Sequence, residues 1–144
     1  MDSPADAADA SGPAALPADG RPARRSWARK FHDAFRGFHW GIRGQSSFRV
    51  HFAAAGAVIA AAAALGMPCW QWCVLLLCIA SVLTAEMFNS ALESLARAVT
   101  RQHDPHVGEA LDTGSAAVLV AAVGAAVVGA IIFGHRLGQL LAWW

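Results

Sequence analysis

Charge is what this chain has least of. Of its 144 residues, 15% are acidic or basic and 56% are hydrophobic, whereas a soluble globular domain carries about 25% charged residues. No charge occurs from Val50 to Ala85, a run of 36 residues, or from Thr113 to His135, a run of 23. With a mean hydropathy of +0.42, these runs exclude a soluble single-domain fold and read as membrane spans. Cysteine is scarce as well: Cys69, Cys73 and Cys78 form an odd set inside an apolar run. That excludes a disulfide framework and leaves three small apolar side chains. Cys69 and Cys73, one helical turn apart, have no third residue to complete a metal site. The net charge of +1 gives no basic excess, so nucleic acid is not an expected partner. No internal repeat is visible, and the short connections leave no room for a separate soluble domain.

Large side chains are missing from the first 23 residues, which hold Pro4, Pro13, Pro17 and Pro22, four acids, no aromatic and one large aliphatic, Leu16. Such a segment cannot bury enough apolar surface to offset its ordering entropy, so residues 1–23 are expected to form a disordered tail. Its acidic start and lack of an apolar stretch are the reverse of a secretory signal. Residues 24–44 then turn basic and aromatic. Arg24, Arg25, Arg29, Lys30, Arg36 and Arg43 alternate with Trp27, Phe31, Phe35, Phe38 and Ile42, whose steps of three and four lie on one helical face. The spacing predicts an amphipathic helix lying on the membrane surface, its arginines towards anionic lipid; the alternative is a helix packed on a partner. Gly37, Gly41 and Gly44 loosen its end.

A helix of 36 uncharged residues would far exceed a hydrocarbon core of about 30 Å, so the first run must cross twice. Gly66-Met67-Pro68 supplies the break, giving spans over about 48–65 and 69–92, with Trp70 and Trp72 as interfacial indoles at the turn. A third span is expected over about 113–133, ending before Arg136, with Trp143 and Trp144 as outer anchors. Its Ala and Gly faces favour close helix contact in lipid. Eight of the eleven basic residues precede the first uncharged run, and Arg97 and Arg101 lie between the second and third spans. This asymmetry places the N-terminus and the second connection in the cytoplasm.

Chemistry is concentrated where the second span leaves the membrane. At 100° per residue, Glu86, Asn89 and Glu93 fall at about 0°, 300° and 340° on one narrow face, with Ser90 adjoining it. Carboxylates at that depth are costly and usually face a partner or a wet cavity. Two acids and an amide beside the cytoplasm can hold Mg²⁺ and orient a hydroxyl nucleophile towards a nucleotide phosphate, and a partly desolvated Glu86 can accept the hydroxyl proton. The structural alternative is that Glu93 pairs with Arg97 at i+4 and Glu86 belongs to a polar seam. Asp112 can be read simply as the N-cap of the third span. Neither G-x-x-x-x-G-K-[ST] nor G-x-G-x-x-G occurs, so a nucleotide would be held by side chains and metal. His103, Asp104 and His106 suit a polar loop around Pro105 better than a metal cluster, and His51 reads as a polar residue near the interface.

Three segments carry a resemblance: Phe48-Arg49-Val50-His51, Glu86-Met87-Phe88-Asn89-Ser90-Ala91-Leu92-Glu93 and Asp112-Thr113-Gly114-Ser115-Ala116-Ala117-Val118. In order and content they resemble the small prokaryotic integral-membrane diacylglycerol kinases, a family that includes undecaprenol kinases, over about residues 31–137. The resemblance implies an all-α homotrimer in the inner membrane, with a surface helix and three spans per chain. It also implies Mg²⁺- and ATP-dependent phosphorylation of a lipid alcohol at the cytoplasmic face, diacylglycerol first and undecaprenol as the alternative. It further implies Glu86 as catalytic base, Asn89 as an active-site amide, Glu93 as a metal ligand and Asp112 as a nucleotide-site acid, with residues 24–144 forming the kinase domain. Gln45 stands where the family usually has a metal-binding Glu, and Leu111 where it usually has Lys. Arg97 replaces a common Asp, and Arg101-Gln102-His103-Asp104 replaces a Ser-Glu-Tyr-His loop. Gln45 can still offer Mg²⁺ an amide oxygen, and Arg49 or Arg97 can supply the cation missing at Leu111. A reading of another class is a noncatalytic membrane assembly or regulatory subunit.

Overall fold

The computed structural model describes residues 26–42, 46–100 and 104–141. The expected tail over residues 1–23, Gln45, His103 and the Trp143-Trp144 anchors lie outside the described residues. Four helices make up all the regular structure described: α1 (Trp27–Ile42), α2 (Ser46–Ala64), α3 (Cys69–Val99) and α4 (Pro105–Leu140). The chain divides into two compact units, residues 1–36 and 37–144.

Local contacts account for α1. Ser26 Oγ accepts a hydrogen bond from the Arg29 amide at 3.4 Å, an N-cap contact at the start of the described helix; residues 24 and 25 of the expected helix lie outside the described residues. Within it, Arg36 donates to Asp33 at 3.2 Å, and Lys30 Nζ lies 4.5 Å from the centre of the Trp27 ring. Both are neighbour pairs of the i, i+3 kind that support a helix. Trp27, Phe31 and Phe35 are exposed.

The helices α2, α3 and α4 are each long and apolar enough to cross a membrane. They pack antiparallel in chain order. His51 of α2 lies opposite Glu86 of α3 at one end, and Ala62, Leu75 and Ile132 share one apolar cluster at the other. The helix α3 packs more extensively on α4 than on α2.

The turn between α2 and α3 is the predicted break at Gly66-Met67-Pro68, and its hydrogen bonds explain why it is sharp. The Met67 amide bonds back to Ala62 O at 3.2 Å and the Gly66 amide to Ala63 O at 3.1 Å. This is the pairing by which a left-handed residue ends a helix, and Gly66 has φ +57°. Arg136 of α4 completes the cap, donating from Nε to Leu65 O at 3.0 Å and from Nη2 to Gly66 O at 2.9 Å. Two carbonyl groups at the end of α2, Leu65 O and Gly66 O, are thus held by a cation placed where the helix dipole favours one.

Three boundaries differ from expectation. The helix of the second expected span, α3, runs on through Val99, past the end of that span near residue 92, since polar residues do not stop a helix and neither Gly nor Pro occurs in it. That of the third, α4, begins at Pro105, not near residue 113, because Asp104 is its N-cap: Oδ1 accepts from the amides of His106 at 2.9 Å and Val107 at 3.2 Å. Proline at the first helical position needs no amide partner. The N-cap reading of Asp112 is therefore corrected; Asp112 lies two turns inside α4. That helix also continues past Arg136 to Leu140. At 1.5 Å per residue α3 and α4 are about 46 and 54 Å long, so their shared end projects beyond a hydrocarbon core of about 30 Å.

Candidate active site

Glu86 lies 17 residues beyond Cys69, about 26 Å along α3, where the helix passes from apolar to polar sequence. Its side chain is turned inward, and the residue is only 2% exposed. Oε2 lies 3.9 Å from Nε2 of His51 on α2, and Oε1 is buried with no hydrogen-bond partner. A buried carboxylate oxygen left without a donor is an expensive feature, and such features mark sites more often than packing.

One turn on, Asn89 and Ser90 are also buried. Asn89 Nδ2 donates to Glu93 Oε1 at 3.1 Å, while Asn89 Oδ1 is buried and without a partner. Asn89 faces α4 at Gly114, where the helices approach so closely that a Cβ would meet Oδ1 at 2.7 Å. Glu93 is half-exposed and pairs with Arg97 at 3.6 Å. The single face anticipated for Glu86, Asn89 and Glu93 is thus present, with its first two members buried and its third opening to solvent.

The remaining candidates are not gathered there. Arg49 and His51 are two residues apart on α2, about 200° around the helix, and His51 faces Glu86, so Arg49 points away. By the same arithmetic Asp112 points away from the side on which Gly114 meets Asn89. Both are exposed. Leu111, three residues before Gly114, is half-buried on the side of α4 that faces α3.

Two contributors are not marked by the sequence motif itself. His51 reads as an interfacial polar residue, although an imidazole inside an uncharged run is itself a signal that a polar group lies opposite. Gly114 reads as part of a motif, and the need for a residue without a side chain comes from Asn89 on another helix. Beside Glu86 an apolar cavity of about 380 Å³ extends between α2, α3 and α4. Its walls include Val58, Val82, Ala126 and Phe133, and among its lining residues His51 alone carries a side-chain nitrogen or oxygen.

The family described as prokaryotic diacylglycerol kinase matches residues 32–133. The chain belongs to that family. Among prokaryotic diacylglycerol kinase relatives, it is 30% identical over 109 residues to the undecaprenol kinase of Bacillus subtilis, covering 76% of this chain and 89% of that protein. It is 32% identical over 125 residues to the diacylglycerol kinase of a Synechocystis species, covering 81% of this chain and 71% of that one. The family match takes in α2, α3 and most of α4, and so every described candidate residue.

Proposed function

We propose that this protein is an inner-membrane lipid kinase that transfers the γ-phosphoryl group of ATP to the hydroxyl of diacylglycerol, giving phosphatidic acid. One observation carries the reading: a carboxylate buried at the end of the apolar stretch of α3, with one oxygen, Glu86 Oε1, left without a partner. A lipid hydroxyl resides at that depth. As it attacks the γ-phosphorus, Oε1 takes its proton, the new oxygen–phosphorus bond forms, and the old bond's electron pair leaves with ADP.

Among the described residues no three His, Cys, Asp or Glu side chains converge on one point. Mg²⁺ is commonly held by one or two carboxylates together with phosphate oxygens, and Glu93, half-exposed at the polar end of α3, offers one such carboxylate. Glu93 would hold it, with Gln45 as a second donor, and when bound the ion supplies charge neutralisation at the phosphates. Asn89 keeps Glu93 oriented through its hydrogen bond, and Arg97 would hand Glu93 over and turn to the nucleotide.

Arg49 and Asp112, assigned to the nucleotide, point away from Glu86 within one chain. A site using all of them needs a second copy, which supports the homotrimer implied by the family resemblance. The helix α4 favours the same reading: its apolar side chains are largely exposed, and a Cβ added at Gly124 or Gly134 would meet no atom of a neighbouring element within 4 Å, as suits helix contacts in lipid. In this arrangement residues 24–144 form the kinase domain, α1 lies on the membrane surface with its aromatic face in the headgroups, and the N-terminus is cytoplasmic.

Undecaprenol is the second reading. It is favoured by His51 following Phe48-Arg49 and by the greater coverage of the Bacillus subtilis relative. The deciding experiment presents purified protein in mixed micelles with labelled ATP and Mg²⁺, and diacylglycerol and undecaprenol in separate reactions. Faster label transfer to diacylglycerol upholds the proposal, and faster transfer to undecaprenol replaces it with the second reading. Transfer to neither supports a noncatalytic assembly subunit.

A further inference from the structure

The contact between His51 and Glu86 has chemical content of its own. Both side chains are removed from solvent, 21% and 3% exposed, and they come from different helices. An isolated carboxylate buried between helices could present either oxygen, in several rotamers, to an incoming hydroxyl. A partner on one oxygen removes that freedom. His51 stands 3.9 Å from Oε2, slightly beyond hydrogen-bond length, and Oε1 has no partner. Catalytic contacts are often this loose before substrate is bound and tighten in the complex. The imidazole also stands at the cavity wall as its one polar lining group, so the helix carrying it has no other side chain there that could take up this role.

We infer that His51 is a positioning residue for phosphoryl transfer. Its Nε2–H engages Glu86 Oε2 and fixes the carboxylate so that Oε1 alone meets the lipid hydroxyl. This rests on Glu86 being the base. It assigns to α2 a direct part in setting the rate, beyond the nucleotide role given to Arg49. Base catalysis depends steeply on alignment, and a base free to turn away loses much of its effect.

The test compares His51→Leu with His51→Gln in the full-length protein in mixed micelles. The two replacements have similar bulk, but only Gln can donate to Glu86. His51→Leu should lower kcat about tenfold or more with the KM values for ATP and lipid changed less than about twofold, and His51→Gln should restore kcat to within about threefold of wild type. Equal kcat values for the Leu and Gln variants would overturn the inference, because a purely structural role does not distinguish a donor from an isostere. A raised lipid KM with unchanged kcat would overturn it too, making His51 a wall of the lipid cavity. Should His51→Leu fail to assemble by size-exclusion chromatography, His51→Asn takes its place, its amide too short to reach Glu86, with the same loss of kcat expected. Glu86→Gln is run alongside. If it stays active, the base reading itself fails; if it is inactive while His51→Leu keeps wild-type kcat, only the positioning role fails.

Discussion

Gly114 meets Asn89 with no room for a methyl group between α4 and α3. A Cβ there would lie 2.7 Å from Asn89 Oδ1 and 3.0 Å from Leu92 Cδ1. Either the helices separate or Asn89 rotates, and rotation gives up its hydrogen bond to Glu93. Helix propensity favours Ala over Gly by about 1 kcal/mol, while overpacking costs about 1–3 kcal/mol. Gly114→Ala should therefore change stability little, by at most about 2 kcal/mol, yet lower the transfer rate several-fold. Melting in detergent and initial rates measured on the same preparation check this, and an unchanged rate would mean that the orientation of Asn89 is irrelevant to turnover.

Glu86→Gln keeps the size of the side chain but cannot accept a proton. Turnover should vanish while assembly, followed by size-exclusion chromatography, is retained. Retention of more than about a tenth of the wild-type rate would show that Glu86 is not the base.

Glu93→Ala should raise the Mg²⁺ concentration needed for half-maximal rate as well as lower the rate itself. Its effect on melting should be modest: its largely exposed pairing with Arg97 contributes about 0–1 kcal/mol, and losing the hydrogen bond from buried Asn89 costs about 1–3 kcal/mol. A titration with free Mg²⁺ that superimposes on that of the wild type would return Glu93 to a structural partner of Arg97.

Arg136→Met removes the donors that cap α2 through Leu65 O and Gly66 O while keeping much of the aliphatic bulk. Charge-assisted hydrogen bonds of this kind contribute about 1.5–3 kcal/mol, so melting should fall by a corresponding amount. The site at the far end of the helices should lose less than about half its rate. A variant with wild-type melting would show that the turn is held by Gly66 and Met67 alone.

Leu111 lies on the side of α4 that faces α3, whereas Asp112 points away. Leu111→Lys would place an ammonium on that side of α4, one turn before Gly114. If phosphates bind there, Leu111→Lys together with Gln45→Glu should lower the KM for ATP about 5- to 150-fold, the equivalent of a 1–3 kcal/mol contact. Rates against ATP at fixed lipid and free Mg²⁺ decide it, and an unchanged KM would remove the nucleotide from this side of α4. Activity gained by the double variant from an inactive parent would identify the natural chain as a remnant kinase.

Much of this protein could be read from its residues alone. The uncharged runs require helices that satisfy their own backbone, because lipid offers no hydrogen bonds, and their lengths against the bilayer set the number of passes. Gly66-Met67-Pro68 marks the turn because only a residue tolerant of positive φ can end α2 there. The shared face of Glu86, Asn89 and Glu93 follows from helical period alone. The ends of α3 and α4 did not follow, since polar residues such as Glu93 and Glu109 continue a helix as readily as they leave one. It took the hydrogen bonds of Asp104 to show where α4 begins. Which faces meet was likewise outside the reach of periodicity. That His51 stands against Glu86, that Gly114 admits Asn89, that Arg136 caps a helix seventy residues away and that Asp112 turns from the site are consequences of packing. A helical period fixes the angle between residues on one helix, but only the contact between helices sets the rotation of each about its own axis.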